Sequence, residues 1–280
     1  MAKDQRSDKK IMENSNVVYL VGAGPGDPEL ITLKGRRLLS EADVVVYAGS
    51  LIPPAVLEMA PRGAEMHDSA KMTLEQIVEV IVKAVKAGRR VVRLASGDPT
   101  IFGASAEQSE ALAKEGIRLE TVPGVSSVTA AAAALGQELT LPEICQTIIL
   151  TRAAGRTPMP DNEKLKDLAR SRALIALFLS ASLGKDVRRD LIEGGYPPET
   201  PVAIVYRVTW PDERIVRGRL DKLAEILRKE KITKTALILV GEAVRERGKR
   251  AKHTRSKLYD PGFSHSYRRS SNVDHRTSPI

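Results

Sequence analysis

The chain has 280 residues, 42% of them hydrophobic and 28% charged, which suits one large or two modest globular domains and excludes a globally disordered protein. A lone cysteine, Cys145, excludes an internal disulfide and any cysteine-rich zinc cluster. The net charge is +9, but residues 245–280 hold ten Lys and Arg against three Asp and Glu, so the body is close to neutral and offers little footing for a nucleic-acid surface.

The first sixteen residues are polar and mixed in charge, with no apolar signal segment, and read as a solvated leader. Apolar runs such as 173–179 are far too short to span a bilayer. A cytoplasmic protein with no membrane partner is therefore expected. Residues 17–21 form a β-branched-rich strand that stops at Gly22. Helical spacing follows over 30–39, then strands at 44–47 and 64–67. Residues 73–87 carry apolar positions at helical spacing and end at Gly88, a natural helix stop. A strand at 89–94 leads into Ser96-Gly97-Asp98-Pro99. A helix is predicted over 102–115, a strand over 118–122 ending at Pro123-Gly124, and an Ala-rich helix over 126–135.

This alternation predicts an α/β protein whose first domain, 17–136, holds a mostly parallel sheet. A linker is expected at 137–144. The second domain, 145–244, repeats the pattern: strands at 145–151, 174–179, 202–208, 215–217 and 236–240, and helices at 163–171, 183–193 and 220–228. Residues 245–280, few in large apolar side chains and rich in Arg, Lys and Ser, read as a basic, disordered tail. Of the four histidines, His253, His265 and His275 lie in that tail, and no metal-ligand spacing occurs.

The glycine-bearing loops carry the chemistry. Gly22-Ala23-Gly24-Pro25-Gly26-Asp27-Pro28 follows a strand and precedes a helix, the setting of a nucleotide loop. It fails the dinucleotide fingerprint, because position 27 is Asp, and it fails the P-loop, because no Gly-Lys-Ser/Thr follows. An acidic loop suits a nucleoside ligand without phosphate; a tight turn with no ligand is the plainer alternative. Ser96-Gly97-Asp98-Pro99 repeats the style, with Asp98 placed to accept from nearby N–H groups. Pro123-Gly124-Val125-Ser126-Ser127 is another such turn. Turns at the carboxyl ends of parallel strands share one sheet edge, where open α/β folds bind ligands.

In order, these motifs, with Thr100-Ile101-Phe102-Gly103 after the second, resemble those of the tetrapyrrole (corrin/porphyrin) methyltransferases over about residues 17–244. Tyr47-Ala48-Gly49-Ser50-Leu51 and the run from Thr151 to Pro160 are similar to the precorrin-4 C11-methyltransferases of cobalamin synthesis. The aspartate that follows the second strand in uroporphyrinogen-III methyltransferases is Ala48 here, which sets that relative aside. The resemblance implies two α/β domains with S-adenosyl-L-methionine in the cleft between them, and a homodimer. It places Pro25, Ser96, Gly97 and Asp98 at the cofactor's border, Ile101 and Phe102 against its adenosyl or methionyl part, and Ser126 and Ser127 as hydroxyl or N–H donors. From the second domain it brings Leu179, Tyr206, Val208, Thr235 and Ala236 to adenine. It leaves the proton acceptor unassigned. The acceptor implied is a tetrapyrrole with several carboxylates, which Arg152 and Arg156 suit as guanidinium forks, with Tyr47, Ser50 and His67 as further lining. Diphthine synthases and ribosomal RNA 2′-O-methyltransferases share the first motifs, and a non-catalytic nucleotide sensor remains an alternative of another class. Tyr259, Phe263 and Tyr267 form no RNA-binding signature.

Overall fold

Val17–Gly22 (β1) and Val91–Ala95 (β4) are buried along nearly their whole length, as strands covered on both faces must be. They form the centre of a five-stranded sheet with Val44–Tyr47 (β2), Glu65–Asp68 (β3) and Arg118–Val122 (β5), in the order β3-β2-β4-β1-β5. Every pairing is parallel: Gly22 lies beside Ala95, Val21 beside Val122, and Tyr47 beside Leu94. The computed structural model describes residues 16–246, 256 and 259–270. The leader therefore falls outside the described residues, Asn16 excepted, as do His253 and His275.

Each face of this sheet has its own core. Val21, Val45, Val92 and Leu94 pack on one side with Leu38, Leu39, Ile52 and Val56. Val18, Val44, Val46 and Val91 pack on the other with Ile77, Ile81, Ala84 and Val85. Helix Leu33–Ser40 (α1) and the short Pro54–Leu57 (α2) serve the first core, and Leu74–Lys86 (α3) serves the second. Thr73 and Gln76 close the start of α3 with a reciprocal capping box. The remaining helices of this part are Ser105–Lys114 (α4) and Ser127–Ala134 (α5). Several predicted helices are shorter than the periodicity suggests. The segment 30–39 starts as a 3-10 turn capped by Asp27, and helix begins only after Thr32 caps it.

The second sheet is five-stranded, with Ile148–Arg152 (β6), Leu174–Phe178 (β7), Pro201–Tyr206 (β8), Arg214–Arg219 (β9) and Ala236–Val240 (β10) in the order β6-β7-β10-β8-β9. It is mixed rather than mostly parallel: β6 and β7 run together, whereas β10 runs against β7. The link from Tyr206 to Arg214 is also too short for the crossover of roughly a dozen residues that a parallel pair requires. Helices Leu165–Leu168 (α6), Gly184–Glu193 (α7) and Leu223–Lys229 (α8) complete this part.

Residue contacts group the chain into two units. The first comprises the described residues up to Leu135 with Val205–Val216 and Ile232–Leu237; the second comprises Gly136–Ile204, Arg217–Lys231 and the described residues from Ile238 onward. In the second, Leu139 and Leu141 are buried, so the stretch expected as a linker is packed. Residues 259–270 form a knot of turns: Asp260 accepts from the Gly262 N–H, and His265 and Arg268 exchange backbone hydrogen bonds. The Asp-Pro-Gly turn signal at 260–262 accounts for it.

Tyr196 is buried, and its hydroxyl donates to the Ala173 carbonyl. Burial pushes its pKa far above the ordinary tyrosine value. Tyr196→Phe leaves that carbonyl unsatisfied and should lower unfolding stability by about 1–2 kcal/mol in a denaturant titration.

Candidate functional site

The turns after β1, β4 and β5 meet at the carboxyl edge of the parallel sheet. Ala23 donates to the Ala95 carbonyl at 2.7 Å, Gly97 donates to the Gly24 carbonyl at 2.8 Å, and Gly24 returns the bond at 3.3 Å. A side chain at Gly22 would stand 2.7 Å from Gly124 and from the Gly97 carbonyl oxygen, and one at Gly124 would collide with the same oxygen. These glycines thus exist to let backbones touch each other. Gly97 differs. Its φ is +64°, and a β-carbon there would find nothing nearer than 4.0 Å. Of these turns, the one after β4 therefore offers open backbone to a ligand.

Asp98 locks the arrangement. Its carboxylate accepts from the Thr100 N–H at 2.8 Å, the Thr100 hydroxyl at 2.6 Å and the Gly124 N–H at 3.1 Å. Partial burial opposes the charge, yet the Thr100 and Gly124 donors outweigh it and hold the carboxyl below the ordinary aspartate value. Asp98 is spent on the turns themselves. Ser126 caps α5 by accepting from Val128, and Ser127 begins that helix with its backbone nitrogen 4.0 Å from where a β-carbon on Gly97 would stand. Ser96 and Ile101 are half-buried, while Phe102 sits at φ +54° with 47% of its surface exposed, an unusual setting for an aromatic side chain.

A segment that the sequence assigned to the other domain belongs to this unit and clamps the first loop. The Trp210 indole N–H donates to the Pro25 carbonyl at 2.9 Å, and the Asp27 N–H donates to the Thr209 hydroxyl at 2.8 Å. Trp210 occupies the space that a side chain at Gly26 would need. Arg207 stacks on Trp210, 4.0 Å from the ring centroid, and pairs with Asp212 at 2.7 Å. Arg207 also donates its N–H to the Thr235 carbonyl, tying 235 to this segment. Tyr206, stacked under Arg214, and buried Val208 flank the clamp; Thr235 is exposed at φ +53°, and Ala236 opens β10. Trp210 and Thr209 escaped the sequence reading; a lone tryptophan in a chain with 4% aromatics was the available signal.

Tyr47 ends β2 with its carbonyl accepting from Ser69, Ser50 is exposed in the following 3-10 turn, and His67 pairs with Glu65 on its own strand at 2.8 Å. In the second unit, Leu179 stands at φ +52° and is 71% exposed. Beside it, buried Ser180 accepts from the Ala153 N–H at 2.8 Å, an anchor that sequence patterning did not reveal. Arg152 is not a free fork: its guanidinium donates to the carbonyls of Thr157 and Pro158, at 3.1 and 2.7 Å, and shapes its own loop. Arg156 is exposed and has no charged partner among the described residues. Among the described residues, no group of three or more His, Cys, Asp or Glu could hold a metal ion, and no helix is long and apolar enough to cross a membrane.

A parallel sheet whose turns converge at its carboxyl edge defines an α/β protein that binds a small ligand there. The chain belongs to the Tetrapyrrole (Corrin/Porphyrin) Methylases, whose sequence pattern matches residues 17–224. It is 54% identical over 259 residues to the cobalt-precorrin-4 C(11)-methyltransferase of Methanocaldococcus jannaschii, covering 92% of this chain and 98% of that one. The precorrin-4 C(11)-methyltransferase of Pseudomonas aeruginosa is 45% identical over 251 residues, covering 90% and 98%. Among solved structures, the cobalamin biosynthetic cobalt precorrin-4 methyltransferase CbiF aligns with a TM-score of 0.81 at 48% identity, over 83% of this chain and 97% of that one. The uroporphyrin-III C-methyltransferase of Thermus thermophilus, solved with S-adenosyl homocysteine, aligns at 0.70 and 34% identity, over 84% and 97%.

Asp98→Asn keeps the shape and removes the charge. A carboxyl whose folded pKa is depressed contributes stability above its unfolded value, and loses it as pH falls through the folded one. Thermal melts of wild type and Asp98→Asn should differ at neutral pH and converge as pH falls below the ordinary aspartate range.

Proposed function

We infer that the chain transfers a methyl group from S-adenosyl-L-methionine to C11 of a precorrin-4 macrocycle in cobalamin biosynthesis. The observation that carries this reading is the convergence of the glycine turns on one open backbone position, Gly97, in a chain of this family. The relatives named for the cobalt-bearing substrate, at 54% and 49% identity, are more similar than the one at 45% named without it, so cobalt-precorrin-4 is the favoured acceptor. Mass spectrometry of the product formed with a labelled methyl donor tests this. One label at C11 supports the reading, and label at another carbon or none overturns it.

The residues present fit a phosphate-free nucleoside ligand. The open side of Gly97, the exposed ring of Phe102 and the half-buried Ser96, Ile101, Ser126 and Ser127 offer backbone polar groups and apolar surface, and none of these six residues is cationic as a pyrophosphate partner would be. Pro25, clamped by Trp210, sets the opposite loop, and Tyr206, Val208, Thr235 and Ala236 supply further surface of the same unit. Leu179, which the resemblance assigns to the cofactor, is an exposed apolar side chain. When bound, S-adenosyl-L-methionine supplies an activated methyl on a sulfonium, so that a C–C bond forms as the S–CH3 bond breaks and its electron pair stays on sulfur. What the chain must add is chiefly alignment, worth up to roughly 7–11 kcal/mol in favourable intramolecular cases. Arg156 is proposed to take a substrate carboxylate, with Arg152 shaping the loop that carries it, and Tyr47, Ser50 and His67 are proposed as lining. A homodimer, which the resemblance implies, and a cytoplasmic location, expected from composition, accompany this reading.

Gly97→Ala should weaken cofactor binding at least about tenfold in calorimetry; its β-carbon meets open space, but the φ of +64° strains any side chain there, so the melting temperature should fall while the circular dichroism of the folded protein stays native. Arg156→Ala should raise the tetrapyrrole KM about three- to tenfold and leave cofactor affinity unchanged, read by steady-state kinetics.

A further inference from the structure

Arg93 is a charged side chain, only 8% exposed, in the core beneath the carboxyl edge, and among the described residues no carboxylate pairs with it. Its Nη1 donates to the carbonyls of Val46 on β2 and Leu94 on β4, at 3.2 and 3.3 Å. Its Nε donates at 3.1 Å to the side-chain oxygen of Gln108 on α4, itself buried. A guanidinium only donates, so the Gln108 oxygen must face it and the Gln108 amide nitrogen must face away. That nitrogen donates to the Ala104 carbonyl at 3.0 Å and the Gly103 carbonyl at 3.5 Å. The loop so held is strained: Phe102 and Ala104 have φ of +54° and +49°, and Gly103 packs so tightly on the Pro99 carbonyl that no side chain fits. A buried charge without a counter-charge is expensive to keep, and packing alone does not require one on a strand otherwise made of Val, Leu and Ala.

We propose that Arg93 and Gln108 are a positioning pair: the guanidinium fixes the orientation of Gln108, whose amide holds the left-handed turn that presents Ile101 and Phe102 to the cofactor. This rests on the methyltransferase reading above and assigns it residues that do not touch the ligand. Gln108→Glu tests it, because the carboxylate gives Arg93 a better acceptor while withdrawing the donor from the Gly103 and Ala104 carbonyls. S-adenosyl-L-methionine Kd by calorimetry, and its KM, should rise about tenfold, while the tetrapyrrole KM moves by less than about twofold and the melting temperature is kept. Gln108→Met removes donor and acceptor without adding charge. It should raise the cofactor Kd in the same way and serves if the first variant fails to fold. A folded variant that binds the cofactor as tightly as wild type overturns the pair, as does one in which both KM values rise equally. A wild-type chain that binds no S-adenosyl-L-methionine overturns the parent reading, and the pair's role with it.

Discussion

Backbone meets backbone at the carboxyl edge of the first sheet, with no room for a β-carbon between them, and the rest of the unit is built around that contact. Gly22 and Gly124 have no side-chain space because the Gly97 carbonyl fills it. For the contact to exist, β1, β4 and β5 must end at matching heights, which the parallel registers through Gly22–Ala95 and Val21–Val122 ensure. Asp98 then spans the turns after β4 and β5 with one carboxylate. Ligand edge and core are thus a single packing event: a change that parts the strands also parts the turns.

Much of this was legible in the residues. Strands at 44–47, 118–122 and 236–240 have the predicted bounds, because Gly or Pro close beside short strand-forming runs leaves little choice of ends. Asp98 declared its role as an acceptor through its place after a Gly and before a helix. Chain reversals were harder. The antiparallel course of β10 depends on partners distant in sequence, which periodicity does not encode. Arg152 looked like a ligand fork; whether a guanidinium faces solvent or its own loop's carbonyls is settled by tertiary packing. Trp210 and Arg93 were invisible for the same reason, since their partners lie on other elements.

The polar groups around the edge share a habit. Asp98, Asp27, Ser126 and Gln108 are each engaged with nearby backbone, shaping a loop or helix start rather than standing ready to take a proton. Such a site is rigid and chemically quiet. That matches a reaction whose methyl group arrives already activated, where geometry governs the rate more than acid or base strength does.

The indole that closes over the Pro25–Gly26 bend is the chain's lone tryptophan. Red-edge emission from the intact protein therefore originates at a single address, with a guanidinium on its face and a loop carbonyl on its nitrogen. The fold thereby carries a built-in optical gauge of that bend, readable during turnover without a label.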